Sequence, residues 1–553
     1  MGCSSRFPPE LTKNTSTSTS DDSYEFPYDI RRVAVIGAGP AGLTAAVTLV
    51  EYGFDVRLFE RTTNPGGNWN WSPERPVRET FPNRPLETLA YEPDIPPIMP
   101  SWRVYEDGED GISSDWRLRD QWSPSPVWNH LRANSHPSIT GMPGVNYPPN
   151  TPWDIPKDLI QSNTRAYASA HDLNSSPLTS QPINNITSYS TRVERLLKTP
   201  GSSKWTLTLR KLEKLPYSTK PNAVRAEWWT EDFDAVVVAS GPFDGPWVPN
   251  LPGIKQAAER WPDGVYHSRR YRNPSDYSGK NVLIVGGSVS ASEIARDLAP
   301  HVANFSISIR PNMKSIFRRR SFLRLPANIT KVPLIGSFEL PPEDTKRTSW
   351  AMRDVVLQFV DGTNATGFDE IILCTGYRRS MPFLVDFRNS SIVNSTVPQR
   401  QVEPIITDGM RLHSLHWTGH YIPDPTLAFA NGPRSWTLGR YQALGLARTW
   451  SRTARLPSTK RMWETYPGTK GDLWEQGPFG TLGEEAFTRL WVMWLNNAAI
   501  EFGGPLVEPL PFNQKEEFIY FANLLWEEHY INHQTWIDLE NKPRKEWPRR
   551  KEP

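Results

Sequence analysis

The chain has 553 residues and a formal net charge of +2 at pH 7, long enough for two or three domains with cores of their own and too evenly charged for a nucleic-acid-binding surface. Its only cysteines are Cys3 and Cys374, neither in a Cys-x-x-Cys pair, which excludes a disulfide framework, a zinc site and a dithiol relay together. No stretch approaches the roughly 18 consecutive apolar residues of a membrane span.

The chain opens Met1-Gly2-Cys3-Ser4-Ser5, an acylatable glycine beside an acylatable cysteine, but Arg6 stands where a myristoylation signal wants Ser or Thr. Residues 1–29 are rich in Ser, Thr, Asp and Pro and offer little to bury, so an unmodified, disordered tail is expected. Acylation at Gly2 and Cys3, giving weak membrane association, is the alternative. The tail lacks the apolar core of a signal peptide, and an intracellular, soluble, cytoplasmic protein is the expectation.

The first element is the apolar strand Val33-Ala34-Val35-Ile36. It runs into Gly37-Ala38-Gly39-Pro40-Ala41-Gly42 and a predicted helix, and Glu60 follows the next strand. This is a dinucleotide-binding signature in register. Gly37 permits the tight turn, Gly39 the close approach to a pyrophosphate and Gly42 the helix-to-strand packing, while the helix N-terminus receives the phosphates. A carboxylate about 20 residues beyond the glycines accepts hydrogen bonds from a free ribose 2′-OH, so this site reads as FAD or NAD. Gly66-Gly67-Asn68-Trp69 follows, its glycines allowing a close pass over a flat ligand or simply an ordinary turn.

Residues 72–128 hold many prolines and the tryptophans Trp102, Trp116, Trp122 and Trp128 without a sustained period, which predicts a long ordered excursion. Two apolar strands ending in glycine come later, Ala235-Val236-Val237-Val238-Ala239-Ser240-Gly241 and Ile371-Ile372-Leu373-Cys374-Thr375-Gly376. Between them lies a second signature: Val282-Leu283-Ile284-Val285, then Gly286-Gly287-Ser288-Val289-Ser290-Ala291, with Arg310 after the next strand. A guanidinium there pairs with a 2′-phosphate, so this site reads as NADP. Ser288 replaces the second glycine, where a side chain crowds the pyrophosphate, and the run Arg318-Arg319-Arg320 either assists with the phosphate or faces water. The fold class is therefore α/β, with two Rossmann-like dinucleotide-binding domains, the NADP domain (256–370) inserted into an FAD domain built from 30–255 and 371–450. The two Gly-ended strands are then its exit and return.

From about 451 onward a helical C-terminal extension (451–553) is predicted, patterned at Glu484 to Trp494 and Glu516 to Trp526. The 23 tryptophans of the chain suit the packing of surface excursions better than an aromatic substrate tunnel.

Several segments together resemble the flavin-containing monooxygenase family. They are Phe59-Glu60-Arg61 with Pro65-Gly66-Gly67-Asn68-Trp69, the stretch Trp261 to Tyr271, Cys374-Thr375-Gly376-Tyr377 leading to Pro382-Phe383-Leu384, and Tyr421 to Phe429. The resemblance spans roughly residues 30 to 450, outside the 72–128 insert. The family's Phe-x-Gly-x-x-x-His-x-x-x-Tyr fingerprint is met by His267 and Tyr271, but Trp261 replaces the phenylalanine and Gly264 falls one position late. Arg272, rather than Trp-Pro, follows Tyr271, which favours heteroatom oxygenation over Baeyer–Villiger chemistry. Trp128 to Pro137 is similar to the family's Leu-x-Thr-Asn-x-Pro element, with Ala133 in place of the threonine.

The resemblance implies an FAD- and NADPH-dependent monooxygenase acting on a small molecule with O2, by N- or S-oxygenation through a C4a-hydroperoxyflavin. It implies that Arg61, Gly67, Asn68, Trp69, Ala133, Asn134, His267 and Tyr271 help hold the cofactors, with Asn134 at the reacting edge of the flavin. Ser290, Ala291, Ser292 and Glu293 would open the second helix and line its phosphate site. Other readings stay open: a Baeyer–Villiger enzyme, or a pseudoenzyme that keeps FAD without NADPH turnover, motivated by Ser288 and the shifted Gly264. A glutathione-reductase-like enzyme would need the missing cysteine pair, and an amine oxidase would need only the first signature.

Overall fold

The computed structural model describes residues 22–509 except 134, 136, 138, 153, 175–185, 200, 216–221, 311–324, 342–349, 389–402, 431–435 and 467–480, with backbone alone at 437, 438 and 481–487. Arg32–Ile36 lies inside a seven-stranded sheet, with Asp55–Phe59 and Ala235–Val238 as its parallel neighbours. Val33, Ala34 and Val35 are fully buried, because a parallel strand covered on both faces has no solvent side and therefore no alternation. One face is covered by the helices Pro40–Glu51 and Trp436–Trp450. The other packs on a four-stranded antiparallel sheet ordered Ser101–Tyr105, Val224–Phe233, Trp205–Lys214, Thr191–Lys198.

The second sheet has five parallel strands in the order Val265–His267, Glu370–Leu373, Asn281–Val285, Asn304–Ser308, Thr330–Val332. Helix Val289–Leu298 buries Ala291, Ile294, Ala295 and Leu298 against one face, and a three-stranded antiparallel sheet with helix Ile254–Arg260 closes the other. This sheet is nested in the first, as expected, but its boundary moves. The run Ile371 to Gly376, read as the return into the first unit, begins in the strand Glu370–Leu373, which pairs instead with Asn281–Val285. Both Gly-ended strands carry the same apolar run, and a one-dimensional pattern does not say which sheet receives it. The crossings between the units are themselves paired: Tyr377 lies opposite Pro246 and Arg378 opposite Gly245, and the Trp247 N–H donates to Gly376 O at 2.9 Å.

One further expectation changes. Residues 22–29 are not loose: the Tyr24 N–H donates to Leu456 O at 2.9 Å, and Phe26 and Tyr28 pack on the first core, since three aromatics in five residues give this stretch apolar area to bury. The 72–128 insert contributes the edge strand Ser101–Tyr105 and the helix Ser114–Trp122. The pattern Glu484 to Trp494 falls inside helix Thr481–Phe502, while Glu516 to Trp526, like residues 1–21, lies outside the described residues. Among the described residues no helix is long and apolar enough to cross a membrane.

Among the described residues three histidines are buried and held neutral. Burial pulls the pKa of His267 and His420 down to about 3 and that of His416 to about 4. In the unfolded chain they titrate near 6.5, so between those limits the unfolded state binds more protons. Their contribution to stability is complete above about pH 6.5 and is lost as the pH falls. The thermal unfolding midpoint is expected to fall steadily from pH 6.5 to pH 4, and His420→Gln to flatten that slope, each histidine contributing up to about 1.4 kcal/mol per pH unit. An unchanged slope in the variant, measured by calorimetry, would refute the assignment.

Candidate functional site

Each signature places a strand, a tight turn and a helix N-terminus in that order. Gly37 has φ +104°, and a Cβ on it would lie 2.7 Å from Ala239 O; one on Gly42 would lie 1.8 Å from Gly37 O. Only glycine fits either position. Helix Pro40–Glu51 begins with Pro40 at its first turn and Gly39 as N-cap, with no side-chain cap, so its free N–H groups face whatever anion arrives. The second turn repeats the arrangement: Gly286 has φ +132°, and a Cβ there would lie 2.3 Å from Cys374 O. Helix Val289–Leu298 is again without a side-chain cap, and its N-cap Ser288 is extended, φ −125°. The conformation at 288 suits any residue, so serine does not disturb the turn.

One continuous cavity of about 1360 Å³ runs along both turns, larger than the roughly 300–1000 Å³ of a single small-ligand pocket. Gly37, Gly39, Pro40, Ala41, Glu60, Arg61, Gly67, Asn68 and Trp69 line it from the first half, and Gly286, Gly287, Ser288, Ser290 and Arg310 from the second. The buried Glu60 is fixed at both oxygens: Ala38 N–H donates to Oε2 at 2.7 Å and Thr62 N–H to Oε1 at 2.9 Å. A carboxylate oxygen accepts more than one hydrogen bond, so capacity remains on the cavity side. Gly67, at φ +55°, sits where a Cβ would be 2.9 Å from Gly39 Cα, and the Gly66 N–H donates to Ala38 O at 2.9 Å. The second glycine pair thus packs against the first loop.

Other expected residues lie elsewhere. Ala38 and Gly42 sit behind the first turn, Ala38 through its bond to Glu60 and Gly42 through its packing on Gly37. Ala291 and Ser292 are buried in the helix-to-strand contact, Glu293 pairs with Arg296 at 3.0 Å, and Ala133 is buried beside Ile155; none of the four lines the cavity. His267 and Tyr271, expected to help hold the cofactors, are fully buried and do not line the cavity. His267 Nε2–H donates to Gly376 O at 2.9 Å while its Nδ1 accepts from the Arg269 N–H at 3.2 Å, and Tyr271 OH donates to Asp297 at 2.7 Å. Both brace the second unit from within. Asn134 and Arg318 to Arg320 lie outside the described residues.

Sequence reasoning missed two features of the wall. Asp244 pairs with Arg61 at 2.7 Å, a contact whose only sequence signal was the turn after Gly241. The loop Trp122 to Pro126 also lines the cavity, and nothing in its composition indicated that. Ser240 Oγ, on the same wall, is buried with no hydrogen-bond partner among the described residues. An unmet buried hydroxyl, two uncapped helix ends and two glycine turns are what two dinucleotides require, so the residues present fit an FAD at the Glu60 half and an NADP at the Arg310 half.

Comparison with known proteins gives the same picture. The family described as NAD(P)-binding Rossmann-like domain matches residues 35–88, and the one described as pyridine nucleotide-disulphide oxidoreductase matches 230–403. The chain is 37% identical over 510 residues to the flavin-containing monooxygenase iboF of Amanita muscaria, covering 87% of this chain and 91% of that one. It is 28% identical to the trimethylamine monooxygenase of Methylocella silvestris over 64% of this chain and 62% of that one. Among solved structures, S-allyl-L-cysteine S-oxygenase from Allium sativum superposes with a TM-score of 0.57 at 19% identity, covering 92% of this chain and 97% of that one. That likeness carries the fold.

The two glycine turns are separable by mutation. Gly37→Ala is expected to purify with less than about a tenth of the wild-type flavin, because strain and a carbonyl clash of a few kcal/mol fall on the first turn. Gly286→Ala is expected to keep its flavin and lose nicotinamide affinity. Visible absorbance and nicotinamide titration distinguish the two, and equal flavin loss in both variants would refute the division.

Proposed function

The chain belongs to the flavin-containing monooxygenase family, and on that basis we propose that it uses FAD and NADPH to place one atom of O2 on a nucleophilic nitrogen or sulfur of a small molecule. The observation that carries the reading is that one cavity is lined by both signature turns, so the residues that would hold the two cofactors share one space. When bound, a flavin supplies hydride acceptance and activation of dioxygen, and reduced nicotinamide supplies the hydride. The chain supplies position and dryness. The uncapped helix ends at Gly39 and Ser288 would hold the pyrophosphates, Glu60 would accept from a ribose hydroxyl, and Arg310 would select a 2′-phosphate. The apolar wall of Trp69, Ile139 and Trp436 keeps water from the reacting centre.

The choice of nitrogen or sulfur is supported by the names of two relatives, a trimethylamine monooxygenase and an S-allyl-L-cysteine S-oxygenase. Arg310 stands exposed on the cavity wall, with no ion-pair partner among the described residues, as a phosphate-selecting guanidinium requires.

Anaerobic NADPH is expected to bleach the visible flavin absorbance, and readmitted oxygen to restore it while a tertiary amine or thioether gains the mass of one oxygen. A flavin that NADPH fails to reduce would overturn the monooxygenase reading, and ketones converted to esters in preference would overturn heteroatom specificity. Arg310→Ala is expected to raise KM for NADPH about tenfold and leave KM for NADH nearly unchanged; equal changes for both would remove Arg310 from the 2′-phosphate.

A further inference from the structure

His267 and Tyr271 of the fingerprint segment are buried and off the cavity wall, and the residue that follows them is an arginine whose side-chain hydrogen bonds run to main-chain carbonyls. Arg272 is 2% exposed. Its Nε donates to Glu74 O at 2.9 Å, its Nη1 to the Arg269 and Tyr271 carbonyls at 2.9 and 2.8 Å, and its Nη2 to Ser125 O at 3.1 Å. Glu74 and Ser125 stand near opposite ends of the 72–128 insert, so one guanidinium ties both ends of that excursion to the second unit.

Neighbouring groups repeat the tie. The Asn129 N–H donates to Arg272 O at 2.9 Å, and a carboxylate oxygen of Glu79 accepts from the His267 N–H. Arg269 donates through Nη2 to Ser123 Oγ at 2.7 Å and through Nη1 to Asp244 O at 3.2 Å. Asp244 in turn pairs with Arg61, next to Glu60. What these bonds hold is the run Trp122, Ser123, Pro124, Ser125 and Pro126, every residue of which lines the cavity. Two prolines stiffen the run, and Ser123 is held at φ +43°, a conformation a free loop seldom keeps.

Burial, with Arg269 and Arg75 nearby, pulls the Arg272 pKa down to about 10. For stability alone, an apolar side chain of similar volume would fill this site without the desolvation cost. Only the planar fork reaches four carbonyls at once.

We infer that Arg272 is a positioning residue that fixes the 122–126 loop as a wall of the cavity between the two nucleotide halves, excluding water where nicotinamide and substrate meet. The consequence for turnover rests on the monooxygenase reading above; the consequence for the loop does not.

Hydrogen–deuterium exchange of the full-length protein tests the clamp directly. In Arg272→Lys, which keeps the charge but not the fork, the amides of Gln121, Trp122, Ser123, Ser125 and Val127 are expected to exchange about tenfold faster, with Arg32–Ile36 unchanged. At unchanged flavin content, the fraction of consumed NADPH recovered as oxygenated product is expected to fall about threefold. Wild-type exchange in the loop overturns the inference. So does equal acceleration in Arg32–Ile36, which would mark a general loosening. Should Arg272→Lys fail to fold, Ser123→Ala removes the Arg269 bond alone and is expected to speed loop exchange about threefold; no change there is equally fatal. Failure of the wild-type protein to oxidise NADPH would overturn the monooxygenase reading, while loop exchange would still decide the clamp.

Discussion

Two backbone contacts organise the molecule. A Cβ on Gly37 would run into the carbonyl of Ala239, and one on Gly286 into the carbonyl of Cys374. Each is the last step of an apolar parallel strand set against the neighbouring Gly-ended strand. With a Cβ in the way, neither strand could sit so close to the next, the helix could not start where it does, and its N–H groups would not open on the cavity. The repetition is physical: a pyrophosphate needs a helix end within reach, and the shortest route from a buried strand to such an end passes through a residue without a side chain.

Charge then divides the two halves. Glu60 is buried and oriented by two backbone donors, whereas Arg310 is exposed. A carboxylate that recognises hydroxyls gains from rigid placement. A guanidinium can stand exposed until a phosphate arrives, since the charge-assisted, bidentate pair it then forms is strong. Between them the pair Arg61–Asp244 and the guanidinium of Arg269 join the first half to the insert.

The segment Trp261 to Tyr271 is recognisable along the chain, while its side chains find their partners only in the fold. Its histidine and tyrosine stand in register with a cofactor-linked family pattern, which suggested contact with the cofactors. Both are buried struts, His267 on Gly376 O and Tyr271 on Asp297, and the residue immediately after them grips the insert. Register along the chain identifies the segment but leaves open which way its side chains point.

The two signatures, the nesting of one unit in the other and the opposed charges of Glu60 and Arg310 were determined by the sequence, because strand, turn and helix lie within about 30 consecutive residues and depend on local geometry. Tertiary structure alone decided that Glu370–Leu373 joins the second sheet, that Asp244 meets Arg61, and that the 122–126 loop forms a wall of the cavity. These partners are far apart along the chain, and their meeting depends on how apolar faces pack. An alternation or a spacing does not encode that.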